Sequence, residues 1–150
     1  FRLFPGNEVR FKSAYFIKCN SYDTDENGNV TCLHCTYDPE SRGGNSPDGR
    51  KVKGTIHWVN ANDCKQCEVR LYDRLFSAEE PGKNGDYFDD LNPDSLEVIE
   101  NCLLEGGFEN AKPGDTFQFM RNGYFCVDKD STEDKLVFNR TVALNSSWGK

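Results

Sequence analysis

Residues 50–76 read Arg-Lys-Val-Lys-Gly-Thr-Ile-His-Trp-Val, then a short loop, then Glu-Val-Arg-Leu-Tyr-Asp-Arg-Leu-Phe, and this stretch decides the fold class. In the first run, apolar or small residues alternate with polar ones, most of them basic. Successive side chains of a strand point to opposite faces, so the alternation predicts a half-buried strand over residues 51–59 with a cationic outer face. The second run repeats the pattern over residues 67–76. Two basic-faced strands in succession predict a local anion-binding surface.

Similar short runs, separated by turn signals, occupy the rest of the chain. Glu26-Asn27-Gly28-Asn29 and Asn122-Gly123 are typical of hairpin turns. Asp38–Gly49 is rich in Gly, Ser, Pro and Asp and predicts a long surface loop, and Asp86–Leu91 predicts one helical turn. Short antiparallel strands joined by turns indicate an all-β barrel or sandwich. Further strands are expected over residues 8–13, 14–22, 30–37, 95–99, 116–121, 124–128 and 136–144.

Length and composition are those of a small globular protein. The chain has 150 residues, enough for one ordinary domain or two very small ones, and its 11 Phe, 6 Tyr and 2 Trp favour strand-rich packing. No apolar run approaches the roughly 18 residues of a membrane span, so no membrane partner is predicted. Because the chain lacks an initiator Met and begins like mid-protein sequence, we expect a fragment of a longer protein.

The formal net charge of −7 argues against nucleic-acid binding, because polyanions are bound mainly by Lys and Arg. The charge is unevenly distributed, however. Residues 79–109 hold ten of the 25 acidic residues and one of the 18 basic ones, so the remaining 15 acids and 17 bases give a net charge of +2. This balance favours a protein that reads a few exposed bases over one that grips a long duplex.

Three motifs in order carry a family resemblance: residues 48–59, Asp-Gly-Arg-Lys-Val-Lys-Gly-Thr-Ile-His-Trp-Val; residues 68–76; and residues 137–142, Val-Phe-Asn-Arg-Thr-Val, followed by Trp148. The chain resembles the C-terminal anticodon-binding domain of glutaminyl-tRNA synthetases from about residue 2 to residue 148. The resemblance implies two small antiparallel β-barrels, each similar to the ribosomal-protein-L25-like barrel. Residues 1–62 would form most of the distal barrel, and residues 63–150 would return into the proximal one, which would be incomplete here.

The same resemblance implies the activity of a parent enzyme. That enzyme would be a glutamine–tRNA ligase, a class I aminoacyl-tRNA synthetase that attaches glutamine to tRNA with ATP and Mg. The implied partners are the anticodon loop of glutamine tRNA and an upstream catalytic domain of the same chain, in a cytoplasmic, monomeric protein. This chain itself would hold no catalytic residue, no cofactor and no metal.

The residues that would read RNA follow from the same resemblance. An arginine fork reaches two acceptors of guanine, and a glutamine amide matches the adjacent donor and acceptor of uracil. Each of these side chains has a plainer interpretation as a solvated charge or an exposed strand residue. The implied set is Arg2 for the third anticodon base, Arg10 for the first, Lys12 beside it, Gln118 for the middle uracil, Arg121 for the backbone and Ser147 near the loop. Lys51, Lys53, Arg70 and Arg74 are interpreted as structural or general electrostatic residues.

Cysteine spacing provides a competing interpretation. Cys32-Leu-His-Cys35 and Cys64-Lys-Gln-Cys67 are two C-x-x-C pairs with the spacing of a tetrathiolate zinc site. Against that site, Cys32 and Cys35 fall in a predicted strand, where residues three apart face opposite sides, so isolated reduced thiols are predicted. The alternatives left open are a zinc-stabilised, ribosomal-RNA-binding L25-like barrel, the anticodon domain of a glutamyl-tRNA synthetase, and an interaction barrel that binds no nucleic acid.

Overall fold

The computed structural model describes residues 2–144, and the chain divides into two compact units, Phe1–Trp58 and Val59–Lys150. The all-β prediction is confirmed: the described residues form nine strands in two sheets, with two short 3-10 turns as their helical elements. In residues 2–144, no helix is long and apolar enough to cross a bilayer. The first unit ends four residues before the predicted boundary at residue 62. That the second unit completes a barrel begun upstream stays a prediction.

The first unit is a four-stranded sheet in the order β3-β2-β1-β4, antiparallel except for the parallel pair β1–β4. The predicted hairpin between β2 and β3 is confirmed. The Asp25 carboxylate accepts hydrogen bonds from the backbone N–H groups of Asn27 and Asn29, and Gly28 adopts a φ of +81° at the turn. The strands are β1 (Glu8–Phe11), β2 (Phe16–Thr24), β3 (Val30–Asp38) and β4 (Thr55–Ile56).

The core of the first unit lies at the base of this sheet, where Val9, Phe16 and Cys19 are buried. The predicted loop 38–49 closes over it and contains a 3-10 turn, Pro39–Ser41. Ser41 is fully buried, and its Oγ accepts a hydrogen bond from the Phe16 backbone N–H at 2.8 Å and donates to the Asp38 carbonyl at 2.6 Å. The loop is therefore anchored to the core rather than merely laid over the surface.

The second unit is a five-stranded sheet in the order β6-β5-β9-β8-β7, with β5 and β9 parallel and the other pairs antiparallel. Its core is aromatic. Phe138 is fully buried, with the Phe119 ring 5.0 Å away, and Phe108 packs edge-on against Phe117 at 4.9 Å. The strands are β5 (Lys65–Tyr72), β6 (Leu96–Leu104), β7 (Thr116–Phe119), β8 (Gly123–Val127) and β9 (Leu136–Val142).

Four expectations about the sheets need correction. Residues 2–144 do not close either sheet into a barrel, and each sheet contains one parallel pair. The strand predicted over 51–59 shrinks to β4, because Gly54 has a φ of +97°, which interrupts the extended backbone. The strand predicted over 67–76 runs instead from Lys65 to Tyr72, which leaves Leu75 outside the sheet and exposed.

The predicted helical turn and second hairpin are both present. Asp86 caps a 3-10 turn, Tyr87–Asp90, by accepting a hydrogen bond from the Phe88 backbone N–H. In the β7–β8 hairpin, Phe119 pairs with Gly123, so the loop comprises residues 120–122, and Arg121 at its centre has a φ of +70°. The hairpin prediction is confirmed, but Gly123 lies in β8 rather than in the turn.

Candidate functional site

Arg10 is the best-defined candidate in the first unit. It lies on β1 between Val9, which is buried, and Phe11, and its guanidinium carbon is 5.3 Å from the centre of the Phe16 ring. A Cβ on Gly44 would lie 2.9 Å from Arg10 Cδ, so the loop presses directly on this side chain. In the described part of the chain, the buried Nε atom of Arg10 has no hydrogen-bond partner. The contacts that residues 2–144 make with this side chain are therefore apolar and backbone contacts and include no counter-charge.

Arg50 packs on the same aromatic ring, but it forms ion pairs with carboxylates. Its guanidinium carbon lies 5.1 Å from the centre of the Phe16 ring, and its nitrogens donate to Glu8 at 3.2 Å, to Asp48 at 2.6 Å and to Asp38. These hydrogen bonds, the one to Asp38 above all, raise the pKa of Arg50. Hydrogen bonds from Ser46 and then from Arg50 lower the pKa of Asp48 to about 2. Arg50 is therefore saturated by carboxylates.

The two arginines differ in whether a carboxylate of the described residues pairs with them. Among residues 2–144, no ion pair involves Arg10, although Arg50, which contacts the same ring, pairs with three carboxylates. A buried donor without a partner costs about 1–3 kcal/mol in a folded protein. Within residues 2–144, the charge of Arg10 is therefore not offset by a carboxylate.

Lys12 follows β1 and is exposed, and its backbone is fixed on both sides. Its N–H donates to the Ile56 carbonyl at 3.0 Å, and its carbonyl accepts from the Trp58 indole N–H at 3.0 Å. The Trp58 ring also stacks on Phe11, with 5.9 Å between ring centres. Trp58 was predicted on a buried strand face, yet it is 41% exposed and supports Lys12. The indole N–H, which needs an acceptor, is the sequence signal that could have indicated this role.

In the second unit, Gln118 and Arg121 both lie on the β7–β8 hairpin. Gln118 is exposed on β7 opposite Tyr124, while its neighbours Phe117 and Phe119 pack on the core. Arg121 is exposed at the hairpin tip. A Cβ on Gly123 would lie 2.6 Å from the Val142 carbonyl oxygen, so the hairpin is pressed tightly against β9. The Gln118 amide therefore stands on a rigid strand and points away from the core.

Arg70, on the second basic-faced strand, is a structural cation, in agreement with its interpretation from the sequence, and is not part of an open anion-binding surface. Its Nε lies 2.8 Å from Glu68 and its terminal nitrogen 2.8 Å from Asp130, and the hydrogen bond to Asp130 is the main cause that raises its pKa. Lys135 also pairs with Glu68, at 2.6 Å. The buried Glu68 carboxylate consequently anchors a structural ion-pair cluster. Arg74, Lys51 and Lys53 are exposed.

The cysteine pairs of the sequence are distributed between the two units. Cys32 and Cys35 lie on β3, and strand alternation places them on opposite faces, as predicted. Cys64 and Cys67 belong to the second unit, where Cys67 is buried opposite Cys102 of β6. Burial raises the pKa of the Cys67 thiol to about 11. The buried Cys67 thiol therefore ionises less readily than an exposed thiol and is expected to be less reactive.

The six candidate RNA-reading residues thus fall on both units. Arg2, exposed ahead of β1, belongs to the first unit with Arg10 and Lys12, and Gln118 and Arg121 belong to the second. Ser147 lies outside the described residues. Within each unit, the described candidates lie on exposed or half-buried positions of the sheet or the segments beside it.

The chain matches two family models of one kind of domain. Residues 1–38 match one family model and residues 55–128 another, and both are described as the anticodon-binding domain of class I tRNA synthetases (E and Q). The matched regions contain Arg2, Arg10, Lys12, Gln118 and Arg121.

Several curated relatives are similar over nearly the whole chain. The glutamine–tRNA ligases of Clostridium perfringens and Clostridioides difficile are 53% and 50% identical to it over 150 residues, or 99% of this chain. That of Nitrobacter winogradskyi is 49% identical over 100% of this chain. The chain spans about a quarter, 27%, of the length of each of these relatives.

Proposed function

The chain belongs to the anticodon-binding domains of the class I tRNA synthetases for glutamate and glutamine, and from this premise we propose that it reads the anticodon loop of glutamine tRNA. The relatives at 53% and 50% identity are glutamine–tRNA ligases, which favours glutamine over glutamate as the amino acid of the parent enzyme. Proteins that read RNA sequence bind mostly single-stranded loops, whose unstacked bases expose their hydrogen-bonding edges. An anticodon is such a target.

The observation that carries this proposal is the Arg10 guanidinium on the Phe16 ring, which has no carboxylate partner among residues 2–144. A planar guanidinium without a carboxylate partner suits bidentate recognition of a base edge or stacking on a base. Its position is set by Phe16 and Gly44, so little side-chain freedom is lost when RNA binds. We assign Arg10 to the first anticodon base, with Lys12 beside it and Arg2 at the third.

The second unit supplies a different kind of contact. The Gln118 amide offers a donor and an acceptor side by side, which matches the edge of uracil, and we assign it to the middle anticodon base. Arg121 at the hairpin tip would contact the RNA backbone as a positive charge. Ser147 is assigned beside the loop by the family resemblance alone. The acidic residues of 79–109 would face away from the RNA.

For the parent enzyme we propose glutamine–tRNA ligase activity in the cytoplasm, with ATP and Mg bound by a catalytic domain elsewhere in the protein. The role of this chain would be discrimination. A wrong base leaves polar groups of the site unpaired, which costs about 1–3 kcal/mol per position. A monomer is sufficient for that role.

Binding of anticodon stem-loops that differ only at the middle base tests the proposal, with all titrations at one salt concentration. Gln118→Ala should lower the preference for uracil at the middle base by roughly 5–150-fold, since 1–3 kcal/mol of discrimination is lost. Gln66→Ala, an exposed glutamine on β5, is the matched control and should bind like the wild type. Equal affinity of the unsubstituted chain for all four stem-loops would refute the proposal.

A further inference from the structure

The outer half of the β2–β3 hairpin brings together three metal-binding side chains that play no part in the proposed RNA site. Asp23 on β2 and Cys32 and His34 on β3 are all exposed, and one ligand atom of each lies within 4.8 Å of the other two. The closest pair is His34 Nε2 and Asp23 Oδ2, at 2.7 Å. Sulfur, nitrogen and oxygen donors thus converge on one point.

Strand register explains this convergence. Asp23 is the direct cross-strand partner of Cys32, and His34 lies two residues further along β3, so all three side chains share one face of the ribbon. The register shifts between Asp23 and Thr24 and again between Cys19 and Ser21, so that a bulge flanks the cluster on each side. Bulges re-aim side chains and are common beside functional sites. By the same alternation Cys35 faces the opposite side.

We propose that Asp23, Cys32 and His34 bind one divalent transition-metal ion, with zinc as the best match. Zinc accepts thiolate, imidazole and carboxylate ligands together, whereas magnesium and calcium prefer oxygen ligands alone. Zinc–ligand bonds of about 2.0–2.3 Å place tetrahedral ligand atoms roughly 3.3–3.7 Å apart, which lies within the observed cluster. The His34–Asp23 hydrogen bond would open slightly as the ion takes its place. The Cys32 thiol would release its proton to solvent, and water would fill the fourth position.

The exposure of the ribbon gives such an ion a physical role. From Asn20 on β2 and over Val30–Tyr37 on β3, every residue is exposed, so both faces of the hairpin meet water. A two-stranded ribbon with no covering layer is marginally stable by itself. An ion held by both strands would join them beside the Asp25 turn, and its binding free energy would add to the stability of the hairpin. This site differs from a tetrathiolate because it uses Cys32 without Cys35.

Titration of the reduced chain with Co2+, a spectroscopic substitute for zinc, tests the proposal. One equivalent should produce a thiolate-to-cobalt charge-transfer band, and Zn2+ should displace it. Cys32→Ser and His34→Gln should abolish the band, and Asp23→Asn should weaken binding. Cys35→Ser is the matched control, a second exposed thiol three residues away, and should leave the titration unchanged. The replaced side chains are all exposed, and unchanged thermal unfolding without metal would establish that the variants fold.

Three results would overturn the proposal. The first is the absence of the band at a severalfold excess of Co2+. The second is a band that survives Cys32→Ser. The third is loss of the band in Cys35→Ser or Cys64→Ser, which would indicate the tetrathiolate instead. A second readout is amide hydrogen exchange: Zn2+ should slow exchange in the β2–β3 hairpin of the unsubstituted chain but not of Cys32→Ser.

Discussion

Gly44→Ala is expected to weaken RNA binding without touching RNA, because it displaces Arg10. A Cβ at this position would lie 2.9 Å from Arg10 Cδ and 3.3 Å from its Nε. Carbon atoms pack best at about 3.5–4.0 Å, so the arginine stem must move by roughly 0.6 Å or more. A hydrogen bond of about 2.9 Å stretched by that amount passes beyond the useful range of about 3.2 Å.

The expected loss is that of a bidentate base contact, about 1–3 kcal/mol or roughly 5–150-fold in the dissociation constant. The assay is the affinity for the anticodon stem-loop of glutamine tRNA at one salt concentration, measured beside urea unfolding of the free protein. The substitution also strains the backbone, because Gly44 has a φ of +89°. Left-handed conformations cost about 1–2 kcal/mol for residues with a Cβ, so stability should fall by a similar amount.

Gly43→Ala separates the two effects. Gly43 has a φ of +82°, close to that of its neighbour, but a Cβ there would meet no atom of residues 2–144 within 4 Å. It should therefore lose about the same 1–2 kcal/mol of stability and keep its affinity for RNA. If Gly43→Ala weakens binding as much as Gly44→Ala does, loop strain and not Arg10 is responsible. Wild-type affinity in Gly44→Ala would equally refute the assigned role.

Three further outcomes concern the second unit. Phe138→Ala should lower the free energy of unfolding, measured by urea unfolding, by about 3–5 kcal/mol, because Phe138 is fully buried in the aromatic core. Val142→Ala, at a position on the same strand that is 56% exposed, should lower it far less. Hydrogen bonds from Lys135 and then from Arg70 lower the pKa of Glu68 from its ordinary 4.5. The ionised carboxylate therefore stabilises the folded state above pH 4.5, and this stabilisation is lost as the pH falls through the folded-state pKa. Urea unfolding repeated across the acidic range should therefore show a shallower acid limb for Glu68→Gln; an unchanged limb would contradict the role of the cluster. Burial raises the pKa of Cys67 from 9.0 to about 11. In the folded chain, Cys67 should therefore react with iodoacetamide near neutral pH roughly 100-fold more slowly than an ordinary thiol, whereas in urea it should react at the ordinary rate. Equal rates in the folded and unfolded chain would contradict its burial.

The turns and the helix cap were predictable because local sequence determines them. The Asp25 turn with Gly28, the Asp86 cap and the β7–β8 hairpin all depend on residues within five positions of each other, so short motifs are sufficient to predict them. Strand alternation likewise predicted that Gln118 is exposed between Phe117 and Phe119. The family resemblance, which depends on motifs in order, named the remaining candidates.

The sequence was therefore sufficient to predict the number of strands and the all-β class, but not which acidic residue pairs with each arginine. Arg10, Arg50 and Arg70 look equivalent as basic residues of polar faces. Only folding brings Asp130, sixty residues away, to Arg70, and Glu8 and Asp38 to Arg50. Folding also leaves Arg10 on Phe16 without a carboxylate from any residue that the structure describes. Likewise, only the register of β2 on β3 places Asp23 against Cys32. Alternation along a strand decides which face a side chain takes, whereas its neighbours across space depend on pairings between distant segments, which no local pattern encodes.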